Sequence, residues 1–109
     1  MTDRRYKAIF DSRYHMRMLV TVAETGSMTE AAKVLGTKQP AVSRVIANFE
    51  EATGAKLFKR CGPGPRSLRP TMIGIIVAHY ARVVLSEMDE AECAIFNARD
   101  VFNEPDRGA

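Results

Sequence analysis

The chain has 109 residues, of which 46% are hydrophobic and 27% charged, with a formal net charge of +3. These values fit one small soluble domain with an appended element, and they argue against global disorder and a deep catalytic cleft. Residues 1–82 contain fourteen basic and six acidic side chains, whereas residues 83–109 contain two and seven. A basic segment of this kind is typical of a nucleic-acid-binding face, although unevenly charged solvated surface explains it equally well.

Membrane, secreted and metal-binding classes are not expected. The longest strictly apolar run, residues 75–78, is too short to cross a bilayer, and the polar N-terminus lacks an apolar signal core, so the cytoplasm is predicted. Cys61 and Cys93 lie 32 residues apart, and the two histidines are isolated from each other. Neither pattern has the spacing of metal ligands, so we expect no metal and no other cofactor.

Two helices are predicted after an N-terminal arm, residues 1–13, which is polar without a clear period over residues 1–12 and is predicted to be frayed or to form a short helical turn. Apolar residues recur at intervals of three and four from Tyr14, which predicts an amphipathic helix that Gly26 ends. The next helix begins at Ser27, because the segment from Ser27 to Glu30 fits a capping box. In that motif the serine hydroxyl accepts a hydrogen bond from the Glu30 amide, and the glutamate side chain reaches back to the start of the helix.

A third helix is predicted over residues 38–53, with Pro40 in its first turn, where a missing amide costs nothing. Val42, Ile46 and Phe49 are spaced by four and three, so they share one face, which we expect to be buried. The opposite face exposes small polar and basic side chains, namely Ser43, Arg44 and Asn48.

A hairpin and a long helix complete the pattern. Residues 59–70 contain two glycines, three prolines and four basic residues, so a loop with short strands at its ends is predicted. From Thr71 a helical pattern runs to residue 103, and about thirty residues at ~1.5 Å each give a rod of about 45 Å. The small domain cannot cover such a rod, so its apolar stripe predicts pairing with a partner helix. The predicted interface residues are Ile73, Ile76, Val77, Tyr80, Val84, Leu85 and Met88.

The second and third helices have the arrangement of a helix-turn-helix. Ala32 allows the two helices to approach closely, and Leu35 and Val42 fill their crossing. The exposed face of the third helix then has to reach a major groove. Glutamine can pair with adenine and arginine with guanine through two hydrogen bonds, so Gln39 and Arg44 are candidate base readers.

Residues 16–85 resemble the N-terminal domain of LysR-type transcriptional regulators. The resemblance rests on VAETGSMTEAA at 22–32, Leu35, QPAVSR at 39–44, Ile46, Glu50, Gly54, Leu57-Phe58, Arg60 and Thr71-x-x-Gly74. Each fragment alone is weak, whereas the ordered set is highly specific.

The resemblance implies a mainly α fold. It consists of a winged helix-turn-helix over residues 14–70, with a three-helix core and a short β-hairpin wing, a linker and dimerisation helix over 71–103, and a tail over 104–109. It implies a bacterial transcription regulator that binds double-stranded DNA sequence-specifically as a homodimer, with no catalytic residue, membrane contact or small-molecule ligand in this chain. In this family the long helix pairs antiparallel with its mate, and a full-length form can assemble into a higher oligomer. The DNA-binding residues it implies are Ser27, Thr29, Lys33, Lys38, Gln39, Pro40, Ser43, Arg44, Asn48, Arg66 and Arg69.

At two positions the residue roles implied by the family resemblance need a closer look. Lys38 stands where the family usually has a serine that caps the helix, so Thr37 is the predicted cap and Lys38 a predicted phosphate contact. Arg60 fits two roles, a family position in the DNA-binding domain and an ion pair with Glu50 or Glu51 that stabilises the fold.

Two functions other than DNA binding are considered for this sequence. The apolar stripe also fits a protein-interaction module that heterodimerises with a full-length regulator and modulates it, because no effector-binding domain follows before Ala109. Both a piece of a longer protein and a naturally short protein fit that ending. An enzyme is the weakest hypothesis, because the sequence has no Ser/His/Asp set, phosphate loop or metal cluster.

Overall fold

The computed structural model describes residues 8–102, in which four helices surround one core and a small hairpin lies at its edge. The elements are a 3-10 turn (Ala8–Phe10), α1 (Arg13–Thr25), α2 (Met28–Leu35), α3 (Gln39–Thr53), β1 (Phe58–Arg60), β2 (Leu68–Pro70) and α4 (Met72–Phe102). The two strands are antiparallel, with Lys59 opposite Arg69. The predicted fold class, a mainly α winged helix-turn-helix followed by a long helix, is confirmed. The predicted tail, residues 104–109, lies outside the described residues.

The core lies where α1 crosses the other helices. Met16, Leu19 and Val22 of α1 are fully buried, and Leu57 closes the core from the segment before the hairpin. The predicted inner face of α3 is confirmed, since Val42, Ile46 and Phe49 are all buried. Each such aliphatic or aromatic side chain contributes about 1.5–3 kcal/mol on burial, so this cluster fixes how the helix-turn-helix is presented.

The N-terminal turn belongs to the domain. Ile9 is only 4% exposed and lies in the core cluster, and the turn contacts both α1 and α3. Of the two forms predicted for this segment, an arm or a short helical turn, residues 8–10 adopt the turn, while residues 1–7 lie outside the described residues. No periodic pattern marks this turn in the sequence, because one buried isoleucine in a three-residue turn has no repeat to detect.

Only part of the predicted capping box forms at the start of α2. The Ser27 hydroxyl accepts a hydrogen bond from the Glu30 amide at 3.1 Å, as predicted. The Ser27 amide, however, donates to the hydroxyl of Thr25 at 3.3 Å. The Glu30 carboxylate therefore has no backbone partner at the helix start and is available for ion pairs, which are described below.

The cap predicted for α3 is wrong. Lys38 occupies the N-cap position in an extended conformation, and no side chain caps the helix. Thr37 lies one position before this N-cap, and its amide closes the preceding helix by donating to the carbonyl of Ala32 at 2.9 Å. Pro40 in the first turn reduces the number of amides that need a partner.

The Thr71-x-x-Gly74 motif fastens α4 to the start of the hairpin. The Thr71 hydroxyl donates to the carbonyl of Lys56 at 2.6 Å and accepts from the Gly74 amide at 3.1 Å. The Thr71 amide donates to the carbonyl of Leu57 at 2.9 Å. Gly74 is buried, and a Cβ at this position would collide with the same Leu57 carbonyl. The motif therefore fixes where the long helix leaves the domain.

The first part of α4 packs along α1, so some residues of the predicted dimer interface also belong to the core of their own chain. Val77 and Leu85 are buried within their own chain, although Val77 also lines the groove formed by the remaining residues. Met88 is partly buried, and its sulfur accepts a hydrogen bond from Arg13 Nε at 3.3 Å. The other predicted residues, Ile73, Ile76, Tyr80 and Val84, line an open groove.

Ion pairs hold the two ends of this contact. Arg82 Nε lies 3.5 Å from the Glu24 carboxylate at the end of α1, and Arg13 Nη1 lies 2.8 Å from the Glu92 carboxylate at its start. The pairing shows that α1 and α4 run antiparallel. All residues from 89 to 102 are exposed, so α4 continues past the domain that carries it. None of the described helices is both long and apolar enough to span a membrane.

Candidate nucleic-acid interface

A polar cleft of about 510 Å³ lies between the helix-turn-helix and the hairpin. Its lining comes from α2, the start of α3, and the hairpin: Ser27, Met28, Thr29, Glu30, Lys33, Gln39, Arg60, Pro65 and Leu68. The fold thus brings together four predicted DNA-binding residues, Ser27, Thr29, Lys33 and Gln39. Arg60 also lines the cleft. The sequence predicts two alternative roles for it, a family position in the DNA-binding domain and a stabilising ion pair with Glu50 or Glu51.

The N-terminus of α2 forms one wall of the cleft. Ser27 is only 7% exposed and its hydroxyl already caps the helix, whereas Thr29 is exposed in the first turn. Helix N-termini have unpaired amides and the positive end of the helix dipole, so they attract anionic groups. We therefore expect Thr29, more than the covered Ser27 side chain, to meet a phosphate oxygen.

The outer face of α3 is open to solvent. Arg44 and Asn48 are exposed and Ser43 is half-buried, while the opposite face of the helix is buried in the core. Lys38, Gln39 and Pro40, at the start of the helix, are also exposed. An exposed helix face with short polar and basic side chains can enter a major groove without burying an apolar surface.

The hairpin forms the wing, and Arg60 stabilises it. Arg60 Nη1 donates to the Ser67 hydroxyl at 2.6 Å, across the loop between the strands. The alternative ion pair of Arg60 with Glu50 or Glu51 is not formed. Glu50 instead accepts a hydrogen bond from the Leu57 amide at 2.9 Å and lies 3.6 Å from the Lys56 ammonium.

The wing is anchored to the turn before α2. The Leu68 amide donates to the carbonyl of Gly26 at 3.1 Å. Gly26 has a φ of +71°, and a Cβ there would lie 3.3 Å from the Leu68 carbonyl oxygen, so both its conformation and this close approach require glycine. Arg69 Nη1 donates to the carbonyls of Arg66 and Leu68, both at 3.1 Å. The Arg69 guanidinium is therefore partly engaged in holding the wing, although its side chain stays exposed.

Glu30 links the wing to α2. Its carboxylate lies 3.7 Å from Arg66 Nη2 on the wing and 3.6 Å from Lys33 Nζ one turn along the helix. Both cations are predicted DNA-binding residues. The sequence interpretation assigned Glu30 to a capping box and missed this bridge. No local pattern reveals it, because Arg66 lies 36 positions away along the chain.

Basic residues predominate around this surface. From Lys33 to Arg69 the chain has eight basic residues against two acidic ones, Glu50 and Glu51. One of those acids, Glu50, is already bound to Lys56 and the backbone. Within residues 8–102, no three side chains of His, Cys, Asp or Glu lie close enough to hold a metal ion. The arrangement suits contact with a polyanion more than coordination chemistry.

Comparison with known families decides the assignment. The family model described as bacterial regulatory helix-turn-helix protein, lysR family, matches residues 14–75. The chain belongs to this family. The matched region includes α1 from its second residue onward, all of α2 and α3, the hairpin, and the Thr71-x-x-Gly74 start of α4.

Curated relatives of this LysR-family chain are transcription regulators. The small neutral protease regulatory protein of Streptomyces coelicolor is 40% identical over 74 residues, which cover 68% of this chain and 22% of the relative. The regulator BenM of Acinetobacter baylyi is 40% identical over 76 residues, which cover 70% of this chain and 24% of the relative. The matched part thus spans about a quarter or less of each relative.

The fold is shared with a solved protein–DNA complex. The structure of the BenM DBD with catB site 1 DNA superposes with a TM-score of 0.72 at 34% identity, and the match covers 80% of this chain and 93% of that one. The LysR-family chain therefore has the architecture of a domain that has been solved bound to DNA.

Proposed function

We propose that this chain is the DNA-reading part of a bacterial transcription regulator, acting in the cytoplasm as a sequence-specific binder of double-stranded DNA. The observation that supports this most directly is the convergence of three elements on one surface. The N-terminus of α2, the exposed face of α3 and the wing meet around the polar cleft. A regulator, and not an enzyme, is the function that its named relatives also have.

Phosphate contacts supply most of the affinity in this proposal. Thr29 at the α2 N-terminus, Lys33, Lys38, Arg60 and Arg66 contribute hydroxyl or cationic groups around the recognition helix. Each neutralised phosphate releases counterions, so binding weakens steeply as salt rises. Such contacts orient the domain on the duplex but carry no sequence information by themselves.

Base reading falls to the exposed face of α3. Gln39, Ser43, Arg44 and Asn48 are the side chains of that face that can hydrogen-bond to base edges. Arginine pairs with guanine and glutamine with adenine through two hydrogen bonds each, and one good pair is worth about 1–3 kcal/mol of discrimination. The buried face of α3 keeps these side chains in a fixed orientation.

Dimerisation through α4 completes the proposal. Of the twelve large hydrophobic side chains exposed within residues 8–102, ten lie on α4. Such a concentration on one long helix is expected where it meets a partner helix. A symmetric dimer carries two recognition helices, which bind two half-sites about one helical turn of DNA apart.

The decisive experiment is selection of bound sites from random DNA by the purified chain, followed by footprinting. We expect an enriched pseudo-palindromic sequence whose half-sites are spaced by about one turn. Enrichment of no sequence, with binding to all DNA equally, would contradict sequence-specific recognition. Binding that appears only after a longer regulator is added would instead favour the interaction-module hypothesis.

A further inference from the structure

An apolar groove of about 570 Å³ lies on the side of the domain that α1 leaves uncovered. Its floor and one wall come from the outer face of α4, and the other wall comes from the N-terminal turn and the end of α3. The lining residues are Ile9, Phe10, Thr53, Ile73, Ile76, Val77, Tyr80 and Val84. Apart from the phenol of Tyr80, Thr53 supplies the one polar side chain in this lining, and its hydroxyl already donates to the carbonyl of Phe49 at 3.0 Å.

The wall formed by Ile9 and Phe10 is a feature of this chain that the family match does not include. The match begins at residue 14, four positions after Phe10. Ile9 nevertheless lies in the core, and Phe10 packs against it while remaining half-buried at the groove. The turn is therefore fixed to the domain by burial, and it extends the groove beyond the surface that α4 alone would offer.

The outer part of α4 has the chemistry to fill such a groove. Ala91, Ile95, Ala98 and Phe102 are exposed and spaced by four, three and four, so they form one apolar stripe beyond the domain. Ile95 is 66% exposed and Phe102 is 76% exposed. These side chains cannot reach the groove of their own chain, because α4 is a continuous helix that leads them away from it.

The family resemblance implies that the long helix pairs antiparallel with its mate, and the charge distribution agrees with this orientation. Residues 87–102 contain five acidic residues and one basic residue, whereas residues 8–86 contain eleven basic and five acidic residues. A parallel mate would bring the two acidic segments together, at a cost in repulsion. An antiparallel mate keeps the two acidic segments apart and lays its apolar stripe along the groove.

We infer that the N-terminal turn is a partner-binding element, with Phe10 forming a wall that receives the outer α4 stripe of a second copy of this chain. The inference rests on the dimer proposed above and adds to it a contact from outside the matched family region. The occupant is the segment from Met88 to Phe102 of the second copy, running antiparallel to the α4 that floors the groove.

Disulfide trapping tests the contact directly. Both native cysteines are exposed, so the background carries Cys61→Ser and Cys93→Ser. Phe10→Cys protein is mixed with protein carrying one cysteine at Ala91, Ile95, Ala98 or Phe102, under mild oxidation. We expect a rapid disulfide heterodimer for at least one of the four positions. The matched control, Phe10→Cys mixed with Val34→Cys, uses an exposed α2 position outside the groove and should not be trapped.

Analytical sedimentation then measures how much the Phe10 side chain contributes to the affinity of the dimer. Phe10→Ala should weaken the dimer about fivefold or more, as truncation of an interface aromatic does. Tyr14→Ala removes an aromatic side chain that is 47% exposed on α1 and does not line the groove, so it should leave the dimer unchanged. If Phe10→Ala unfolds at the same temperature as the parent protein, its lower dimer affinity does not result from a folding defect.

The outcomes separate the inference from the proposed function. A dimer that is insensitive to Phe10→Ala and gives no trapped species at any of the four positions would overturn the inference and leave the α4 dimer standing. A chain that sediments as a monomer at every concentration would overturn both. DNA site selection is read independently in either case.

Discussion

The carboxylate of Glu30 lies between two predicted DNA-binding cations, 3.7 Å from Arg66 of the wing and 3.6 Å from Lys33 of α2. The Glu30 side chain is about one-third exposed, and both partners are mostly exposed. Ion pairs of this kind are individually weak, so their main effect is not on stability. The carboxylate holds two cations that DNA phosphates would otherwise bind.

Replacing Glu30 by glutamine is therefore expected to strengthen DNA binding. The change removes a negative charge from the interface and frees both cations for phosphates. We expect affinity for random DNA to rise about two- to tenfold near 0.1 M salt, with a slope of log K against log salt that is steeper by up to about one unit. Fluorescence anisotropy titrations across a salt series measure both quantities.

Glu24→Gln is the matched control for this experiment. It removes the same charge, but Glu24 lies on α1 and pairs with Arg82 of α4. We expect its effect on DNA affinity to be less than about twofold, since it frees no cation of the interface. An equal gain in DNA affinity in the two variants would mean that Glu30 acts only through the net charge of the protein. A loss of DNA affinity in Glu30→Gln would show that Glu30 chiefly positions the wing.

Lys38 allows helix capping and DNA contact to be separated. It occupies the N-cap of α3 without capping it. Lys38→Ser should supply the missing cap and raise the free energy of unfolding by about 1 kcal/mol relative to Lys38→Ala. Both variants should bind all DNA sequences more weakly, with a salt slope lower by about one unit, because both lose the same phosphate contact. An unchanged slope would reject the contact, and equal stabilities in urea unfolding would reject the cap.

Arg44 should behave differently from Lys38, because it faces outward from the middle of the recognition helix. Arg44→Ala should cost about 1–3 kcal/mol on the selected site and relax preference at one base pair, if the guanidinium reads guanine. Titrations on the selected site and on a scrambled duplex of equal length measure the difference. Equal weakening on both duplexes would assign Arg44 to the backbone instead.

Local signals predicted most of the fold. Ser27, Pro40 and the glycines that end α1 and α2 each act within one turn of the chain, and the buried face of α3 follows from a spacing of four and three. Residues that act over longer distances were not predictable. The two cations bound by Glu30 illustrate this difference. Lys33 is one turn away on the same helix, whereas Arg66 lies close to Glu30 only because the hairpin folds against α2.

The long helix α4 also shows that contacts between distant parts of the chain are not predictable from local sequence patterns. Apolar residues surround much of its first half, so periodicity alone assigned Val77, Leu85 and Tyr80 to one stripe. The crossing with α1 divides them, burying Val77 and Leu85 and leaving Tyr80 54% exposed. Two apolar faces on one helix are separable only once the element that packs on one of them is known.

Gly74 gives the sharpest test of how α4 is attached. A Cβ at this position would collide with the backbone carbonyl of Leu57, which cannot move easily because it accepts the Thr71 amide. Gly74→Ala should therefore destabilise the domain by about 2–3 kcal/mol, even though alanine favours a helix interior by up to about 1 kcal/mol over glycine. Ile75→Ala, at the exposed neighbouring position, should change the free energy of unfolding by less than about 0.5 kcal/mol. Urea unfolding of the two variants measures the contrast, and a Gly74→Ala variant as stable as the parent would mean that α4 does not rest on Leu57 as described.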